Sequence, residues 1–486
     1  MKAAKGSGIY NVIVIGAGTA GLVTAAGTAS LGGRVALIER HKMGGDCLNF
    51  GCVPSKALIS SARLVHNIRQ AQDWGLEKQE PKFAFDRIFE RMRARRAKIA
   101  PNDSQKRFES LGVDVFRGAA KFISPYELEV DGTKLRARSF VIATGTRATI
   151  PPIEGIEQVP YFTNETIFDE LNSPPQSLVV LGGGPIGCEL AQAFARLGVQ
   201  VTILNRGARL LAKEDADVAA FVQDRLEQEG VVVLNGVEAK SCVRQGDEIG
   251  IDYTQTSAPT KQRISASTLL IASGRTPNIA QLDLKSAGVK FTKRGVATNA
   301  RLQTSQPHIY AAGDVVGPFQ FTHMADYHAR IVVRNILMPL PFLRQKTDYS
   351  VVPWCTFVDP EVARVGVSEA EAKKKKIEYD VVKQEFAAVD RAVVESQESG
   401  FAKILLKPGT DKILGVTIVS EHAGELIHEF VLAMKHGIGL GQIAAMIHVY
   451  PTFSEAARKA GDQYNKTRLT PFAKKLFAWL YRRKRS

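Results

Sequence analysis

The sequence has few cysteines for its length, and this scarcity excludes one class of protein. Five cysteines in 486 residues do not make the dense disulfide framework of a small secreted scaffold. A disulfide in this chain is therefore expected to be catalytic, in a reducing, cytoplasmic setting. Cys188, Cys242 and Cys355 are expected to be packing residues.

Charge is missing between residues 9 and 33, and a run of this kind superficially resembles a signal peptide or a membrane span. Six glycines interrupt the run, and a lipid-facing helix would not be so rich in glycine. The sequence therefore predicts neither a cleaved signal nor a transmembrane helix.

A first nucleotide-binding pattern accounts for the uncharged run. Residues 10–15 read as a buried strand, followed by Gly16, Gly18 and Gly21 at the start of an alanine-rich helix. A second strand ends at Glu39. The glycines allow a tight turn, close approach of a pyrophosphate and tight helix packing, and the carboxylate accepts hydrogen bonds from a ribose.

The pattern recurs after residue 177. Gly182, Gly184 and Gly187 follow a second buried strand, but Asn205 stands where the acid would be, with Arg206 beside it. The absence of the carboxylate and the presence of a cation favour binding of a nucleotide that carries a 2′-phosphate. The sequence therefore predicts NADPH, with NADH as the open alternative.

Cys47 and Cys52 lie between these two patterns, and four residues separate them. The stretch is expected to open a helix with both sulfurs on one face. A helix N-terminus lowers a thiol pKa, so the pair suits a disulfide that is repeatedly reduced and reoxidised. A structural cysteine pair is the alternative.

Two dinucleotide sites around a cysteine pair resemble the flavin-dependent pyridine nucleotide-disulfide oxidoreductases, over roughly residues 9 to 465. The resemblance implies an α/β fold with two Rossmann-like domains and a C-terminal α+β dimerisation domain. It assigns residues 1–151 and 277–348 to FAD, 152–276 to NAD(P)H and 349–466 to the dimer interface. Residues 467–486, outside the resemblance, are expected to be a basic amphipathic tail.

The same resemblance assigns roles to individual residues. Residues 141–145 and 271–278 resemble the two crossings between nucleotide domains, and residues 309–314 resemble the second flavin signature. Lys56 is expected near flavin N5, paired with Glu189, with Cys52 nearer the flavin and Cys47 nearer the substrate. The further expected cofactor contacts are Ala120, Thr144, Gly145, Gly274 and Asp314.

The dimerisation segment departs from the family pattern. Tyr450 precedes Pro451 where a histidine base is expected, although Glu455 is in the expected position. A phenol with a pKa near 10 is a poor base at neutral pH. His448, on an extended segment, is expected either to point the same way or to be structural.

The tyrosine resembles mercuric reductase, in which a tyrosine faces the bound metal, and thiolates suit soft ions. The sequence lacks that enzyme's C-terminal cysteine pair and N-terminal metal-binding domain, which leaves the natural substrate open. We expect a homodimer that reduces a soft metal ion or a small disulfide, with no resident metal site. The alternatives are dihydrolipoamide dehydrogenase and a membrane-associated redox-switch flavoprotein serving a partner.

Acidic residues are absent after residue 465, and this stretch holds part of the net charge of +15. Residues 470–480 are expected to form an amphipathic helix, too short to span a bilayer, that contacts anionic membrane. Docking on its own dimer is the open alternative. A second basic cluster, at residues 87–98, is expected to be a solvated helix face. Without a groove-reading module, no nucleic-acid partner is expected.

Overall fold

The computed structural model describes residues 8–484. Lys2, Lys5 and Arg485 lie outside the described residues. The chain divides into two compact units, one with residues up to 69, 80–206 and 236–348, the other with residues 70–79, 207–235 and those from 349 onward. This division is coarser than the expected three domains, whose boundaries stay a prediction.

The strands of the described chain follow in order: β1 (Ile9–Ile15), β2 (Val35–Glu39), β3 (Asp114–Arg117), β4 (Ala120–Ser124), β5 (Glu127–Val130), β6 (Thr133–Ile142), β7 (Thr146–Ala148), β8 (Phe162–Thr163), β9 (Ser177–Leu181), β10 (Gln200–Asn205), β11 (Val232–Asn235), β12 (Val237–Gln245), β13 (Glu248–Gln255), β14 (Ala258–Ala266), β15 (Thr268–Ile271), β16 (Arg275–Pro277), β17 (Phe291–Thr292), β18 (Gly295–Val296), β19 (Ile309–Ala311), β20 (Pro353–Thr356), β21 (Glu361–Gly366), β22 (Asp380–Glu385), β23 (Phe401–Leu406) and β24 (Ile413–Ser420).

The α-helices of the same residues are α1 (Thr19–Ser30), α2 (Gly45–Asn49), α3 (Cys52–Arg69), α4 (Phe85–Ile99), α5 (Gln105–Ser110), α6 (Ile167–Glu170), α7 (Pro185–Arg196), α8 (Ala216–Gln228), α9 (Thr322–Leu337), α10 (Glu369–Lys375), α11 (Asp390–Val394), α12 (Ala423–His436), α13 (Leu440–Ala444), α14 (Glu455–Thr467) and α15 (Pro471–Arg483). No described helix combines the length and apolar character that crossing a bilayer requires.

The first unit contains a sheet in the order β3-β2-β1-β6-β5-β4, with β19 also paired to β6. Strand β1 is covered on both faces: Val12 and Val14 pack into one core cluster and Ile13 and Ile15 into another. Burial on both sides explains why this strand is an unbroken apolar run.

A second parallel set places β10, β9, β15 and β8 side by side in that order. In both sheets a glycine loop joins the central strand to a helix, α1 after β1 and α7 after β9. The two nucleotide-binding patterns therefore form the strand-loop-helix units predicted from the sequence, within the mixed α/β fold that the sequence indicates.

The second unit is built on the antiparallel sheet β20-β21-β24-β23-β22. Lys403 on β23 is nearly buried, and its Nζ lies 3.0, 2.8 and 2.8 Å from carboxylate oxygens of Asp215, Asp217 and Glu369. Burial alone would lower the pKa of this lysine, but the three carboxylates outweigh it and raise the pKa. The cluster joins the start of α8 and the start of α10 to the sheet.

The expectation of a solvated basic face on α4 is wrong for part of that helix. Arg91 donates to the carbonyl of Ala57 at 3.0 Å, and Arg93 donates to the carbonyl of Phe168 at 3.1 Å. Arg96 pairs with Asp169. Arg93 and Arg96 are therefore half-buried against neighbouring segments, whereas Arg91 forms its hydrogen bond and stays exposed.

Candidate active site

In the first glycine loop, backbone contacts require the two outer glycines, whereas the middle glycine has open space beside it. Gly16 has φ +104°, and a Cβ there would lie 2.5 Å from the carbonyl oxygen of Ala143. A Cβ on Gly21 would lie 1.8 Å from the oxygen of Gly16, whereas at Gly18 the nearest atom is 3.8 Å away. The backbone itself requires the outer glycines, while the middle one leaves room beside the N-terminus of α1.

The second loop repeats this arrangement. A Cβ on Gly182 would meet the oxygen of Ala272 at 2.4 Å, and one on Gly187 would meet the oxygen of Gly182 at 2.0 Å. At Gly184 no atom of the described chain lies within 4 Å of such a Cβ. Both loops therefore offer the space and the helix N-terminus that a pyrophosphate needs.

Glu39 ends β2 beside the first loop and is buried. Its Oε2 accepts a hydrogen bond of 2.7 Å from the backbone N–H of Ala17, and its carbonyl accepts one of 3.1 Å from Gly118. Ala120, the expected adenine contact, follows at the start of β4. The structure thus brings the expected ribose and adenine contacts to the same end of the sheet.

Asn205 occupies the equivalent position at the end of β10 and is also buried, whereas Arg206 is exposed. The pKa of Glu238 is lowered chiefly by its hydrogen bond to Lys240 and to a lesser degree by the charge of Arg206. The carboxylate near this strand end is thus countered by two cations.

The two crossing segments pair with one another as an antiparallel ribbon of β7 and β16. Asn278 donates to the carbonyl of Thr144 at 3.0 Å and to that of Gly145 at 3.0 Å. Gly274 has φ +139° and open space around it. The hydroxyl of Thr144 is buried and has no hydrogen-bond partner in the described chain.

Asp314 lies at one end of a series of polar side-chain contacts that extends to α2, the helix that contains Cys47. Thr146 donates to Asp314 Oδ2 at 3.1 Å, and Arg275 donates to Thr146 Oγ1 at 2.7 Å. Arg275 also lies 2.9 Å from Asp46, the residue before Cys47. Burial raises the pKa of Asp314. The expected flavin-signature aspartate and the cysteine segment are therefore connected through side chains.

The two cysteines lie on two helices, so the expectation of a single helix is wrong. Cys47 is inside the one-turn helix α2, and Cys52 is the first residue of α3. Gly51, in the break between them, has its Cα so close to Asp46 that a Cβ would lie 3.0 Å from the carboxylate. The break folds the chain back and brings the sulfurs into hydrogen-bond contact.

The environment of the pair is asymmetric. The hydrogen bond from Cys47, the hydroxyl of Thr322 and the charge of Lys56 together lower the pKa of Cys52 to about 6. The hydrogen bond to Cys52 and burial raise the pKa of Cys47. The negative charge therefore resides on Cys52, at the N-terminus of α3, and Cys47 holds the proton.

Lys56 lies one turn further along α3. Its Nζ is 2.8 Å from Glu189 Oε2 on α7, the ion pair expected from the family resemblance. Glu189 is nearly buried, whereas Lys56 is half-buried. The glutamate thereby fixes a cation close to the Cys52 sulfur.

Sequence reasoning missed Thr322, whose Oγ1 lies 3.3 Å from Cys52 Sγ. It also missed Arg275 and Asp46. Thr322 is 270 residues away from Cys52, and no local pattern links them. The one signal is its position at the start of a helix that follows the Asp314 segment.

In the second unit, Tyr450 and His448 belong to the same dimerisation segment, but their side chains have different partners. Tyr450 is exposed, and its hydroxyl donates to Asp390 Oδ2 at 3.0 Å, which raises the pKa of the phenol. The imidazole of His448 is nearly buried, with Nε2 3.0 Å from Glu429 and Nδ1 3.2 Å from the Met446 carbonyl. The two side chains therefore have different surroundings.

Glu455 is buried at the start of α14 and binds Arg458 at 2.9 Å. Its second oxygen, Oε2, is buried without a hydrogen-bond partner in the described chain. The phenol of Tyr450 bonds Asp390 instead. The expected pairing of a base with Glu455 is thus replaced by an exposed tyrosine held by another carboxylate.

Comparison with known proteins identifies relatives along nearly the whole chain. A family described as pyridine nucleotide-disulphide oxidoreductase matches residues 10–329, and its dimerisation domain matches residues 352–460. A mercuric reductase of Lysinibacillus sphaericus is 34% identical over 459 residues, which cover 94% of this chain and 83% of that protein. A dihydrolipoyl dehydrogenase of Thermus scotoductus is 33% identical over 464 residues, covering 94% and 98%.

Among solved structures, the Cu(II) complex of the HOCl-induced flavoprotein disulfide reductase RclA from Escherichia coli is similar to this chain. The TM-score is 0.84 at 28% sequence identity, and the match covers 94% of this chain and 100% of that one.

Proposed function

Because this chain belongs to the pyridine nucleotide-disulphide oxidoreductase family, we propose that it oxidises NADPH and delivers two electrons, through FAD and the Cys47/Cys52 pair, to a soft metal ion. The resemblance predicted from the sequence is confirmed, and the chain is an oxidoreductase of this family. The observation that carries the proposal is the asymmetric dithiol, in which Cys52 is the thiolate.

The residues of the first loop fit FAD. Gly18 leaves room for a pyrophosphate at the N-terminus of α1, and Glu39 stands where a ribose would bind. The unpaired hydroxyl of Thr144 and the carboxyl of Asp314 add two polar groups on the same unit. When bound, FAD supplies the two-electron chemistry between nicotinamide and disulfide.

The residues of the second loop fit a pyridine nucleotide. Gly184 leaves space at the N-terminus of α7, and Arg206 presents a cation beside Asn205. A guanidinium group binds a phosphate with charge-assisted hydrogen bonds. These features support NADPH as the donor.

The dithiol is the last electron carrier of the chain. Two electrons and one proton break the bond between Cys47 and Cys52 and leave a thiol on Cys47 and a thiolate on Cys52. The cation of Lys56, held by Glu189, stabilises the negative charge that accumulates there. Loss of the Cys47 proton on metal binding gives two thiolate ligands. Re-formation of the bond between Cys47 and Cys52 then releases two electrons, which reduce one mercuric ion to the metal or two cupric ions to cuprous ions.

Tyr450 supports a metal ion over a disulfide as the acceptor. Reduction of a disulfide needs a proton donor for the leaving thiolate, and the imidazole of His448 is engaged by Glu429 and Met446. The raised pKa of Tyr450 makes it a weaker acid still. The mercuric reductases and the Cu(II) complex among the similar proteins point the same way.

Dihydrolipoamide dehydrogenase is the second candidate, because proteins of that name are equally similar in sequence. Two residues count against this assignment. Asn205 stands where a carboxylate would favour NADH, and Tyr450 stands where a histidine base is expected. A small disulfide as acceptor is the remaining open alternative.

We propose that the enzyme works as a homodimer. The dimerisation domain matches residues 352–460, and the loop before Pro451 exposes Met446, Ile447 and Val449. Contiguous apolar side chains of this kind are typical of an interface. A cytoplasmic location is part of the proposal.

Anaerobic titration of the holoenzyme with NADPH tests the electron path. We expect a long-wavelength absorbance band from the Cys52 thiolate beside the flavin, lost in Cys52→Ser and kept in the matched variant Cys355→Ser. Flavin bleaching without thiol formation, measured by thiol counting, would refute the dithiol relay.

Steady-state rates with mercuric ion, cupric ion, lipoamide and glutathione disulfide then identify the acceptor. We expect turnover with a metal ion that depends on both cysteines and is unaffected by Cys355→Ser. Turnover of lipoamide well above that of either metal would replace the metal assignment with dihydrolipoamide dehydrogenase.

A further inference from the structure

The helix α15 has an apolar face that the described residues of its own unit leave exposed. None of its residues is buried, and Phe472, Leu476, Trp479 and Leu480 are all exposed. Their spacing of four, three and one residues places them on one side of the helix. Thr470 caps the helix by accepting a hydrogen bond of 3.2 Å from the N–H of Ala473, so the helix has a defined start.

The side of α15 away from this stripe is basic, although Phe477 and Tyr481 also lie there. Lys474, Lys475 and Arg482 share that side at spacings of one and seven residues. Arg483 and Lys484 follow at the end of the helix, and Arg483 stacks 5.3 Å from the centroid of the Trp479 ring. No acidic residue occurs between residues 466 and 486. The segment therefore combines an apolar stripe with uncompensated positive charge.

This segment lies beyond the part of the chain that the family shares, because the dimerisation-domain match ends at residue 460. The redox fold therefore does not account for its composition. The helix has 13 residues, so it is about 20 Å long at 1.5 Å per residue, and the bilayer core is about 30 Å thick. A helix of this length and pattern suits the interface plane of a membrane.

We propose that α15 is a binding site for an anionic phospholipid surface, with the stripe of Phe472, Leu476, Trp479 and Leu480 in the headgroup region. Aromatic residues, above all tryptophan and tyrosine, favour that region. The lysines and arginines meet the negative headgroups. Charge complementarity distinguishes this occupant from a second copy of the chain, which carries the same positive tail and a net positive charge. The inference does not depend on the electron acceptor.

Flotation of the full-length holoenzyme with vesicles tests the proposal. The vesicles are phosphatidylcholine alone, or phosphatidylcholine with about one third phosphatidylglycerol. We expect at least about tenfold more protein with the anionic vesicles, and a loss of that excess at about 1 M salt, where charges are screened. Equal flotation with both compositions would overturn the lipid assignment.

Two variants separate the roles of charge and apolar contact. The triple variant Lys474→Glu, Lys475→Glu and Arg482→Glu is expected to lose flotation. Its matched control, Lys373→Glu, Lys374→Glu and Lys375→Glu, makes the same change in net charge on exposed residues of α10. The control is expected to float like the unmodified enzyme. Equal losses in both would show general charge attraction and refute a site on α15.

The role of apolar contact is tested with the double variant Phe472→Ser and Trp479→Ser. Its control is the double variant Trp74→Ser and Phe342→Ser, which changes two other exposed aromatic residues. Only the first pair is expected to lose flotation. The rate of NADPH oxidation and the flavin spectrum are expected to be equal in all variants. The reason is that α15 contains no buried residue and that the control substitutions also change exposed residues.

Light scattering identifies the competing occupant. If the apolar tail variants lower the molar mass while their flotation stays unchanged, α15 is a contact between copies of the chain and the lipid assignment is wrong. If a nucleic-acid duplex retains the enzyme and the apolar variants do not weaken that retention, the tail is a basic nucleic-acid contact instead.

Discussion

At the scale of single residues, the chemistry of the site depends on which sulfur carries the negative charge. Three groups lower the pKa of Cys52: the thiol of Cys47, the hydroxyl of Thr322 and the ammonium of Lys56. Hydrogen bonds to the charged form of an acid lower its pKa. Cys52 is therefore ready as a thiolate at neutral pH, and the site needs no separate base to form it.

Thr322→Val is expected to raise the pKa of Cys52 from about 6 toward that of an ordinary thiol, by roughly one unit, because one hydrogen bond to the thiolate is lost. The rate of alkylation by iodoacetamide against pH measures this value in the reduced enzyme. The thiolate fraction rises as the pH rises through the pKa, so the rate profile shifts to higher pH.

Thr322→Ser is the matched control and is expected to retain the profile, since the hydroxyl remains. If Thr322→Val and Thr322→Ser give the same profile as the unmodified enzyme, the contact of 3.3 Å has no influence on the thiolate.

Residue-scale features differed in how far the sequence reveals them. The ion pair of Lys56 with Glu189 was predictable from the family resemblance, and the structure contains it. Thr322 and Arg275 were not, because their contacts with the cysteine segment arise from chain returning after more than two hundred residues. Local sequence carries no record of such contacts.

At the scale of elements, the two glycine loops distinguish positions that the fold requires from positions that a ligand requires. The first glycine of each loop is fixed by the carbonyl oxygen of Ala143 or Ala272, and the last by the carbonyl oxygen of the first glycine. The middle glycines have ordinary negative φ angles, −81° at Gly18 and −83° at Gly184. A side chain there strains no backbone but extends toward the space that a phosphate needs.

Gly18→Ala is accordingly expected to fold normally and to lose FAD affinity by at least about tenfold, or about 1.4 kcal/mol. Gly16→Ala is expected to reduce the unfolding free energy by more than about 3 kcal/mol, because of the positive φ and the carbonyl contact. Flavin release on dilution and thermal unfolding measure the two effects.

Gly184→Ala provides the internal comparison, with an expected rise in the KM for NADPH and unchanged FAD content. If Gly18→Ala retained full FAD affinity, the assignment of that loop to the flavin pyrophosphate would be wrong.

The unbroken apolar run of β1 and the glycine spacing made these elements predictable to within about two residues, a typical uncertainty of element boundaries. The break between α2 and α3 was not predictable. The break places Gly51 close to Asp46, and Asp46 pairs with Arg275 from a distant crossing segment. Helix periodicity alone favours a continuous helix across both cysteines.

At the scale of the whole molecule, stability depends on a buried histidine. His328 on α9 is fully buried, and its Nδ1 accepts a hydrogen bond of 3.2 Å from the N–H of Gly313. Burial lowers the pKa of His328 to about 4. The neutral imidazole is thus the form that the folded protein contains.

The unfolding free energy is expected to fall as the pH decreases from about 6.5 to about 4, by up to about 1.4 kcal/mol per pH unit from this residue. In that interval the unfolded chain binds a proton that the folded chain excludes. The loss therefore begins below the unfolded pKa and levels off below the folded one. Urea denaturation at a series of pH values measures it.

His328→Asn retains an acceptor for the Gly313 N–H but cannot titrate. The variant is expected to have a shallower dependence on pH, with the difference confined to this interval. An unchanged slope in the variant would show that other groups determine the acid sensitivity.

The β7/β16 ribbon has a mechanical consequence. Its strands continue from Ala143 and Ala272, the residues whose carbonyl oxygens abut the two nucleotide loops. The ribbon therefore connects the two loops through one hydrogen-bonded ladder with a defined register. A one-residue slip in its register would displace both loops at once, so the two glycine loops keep a common alignment through three residue pairs.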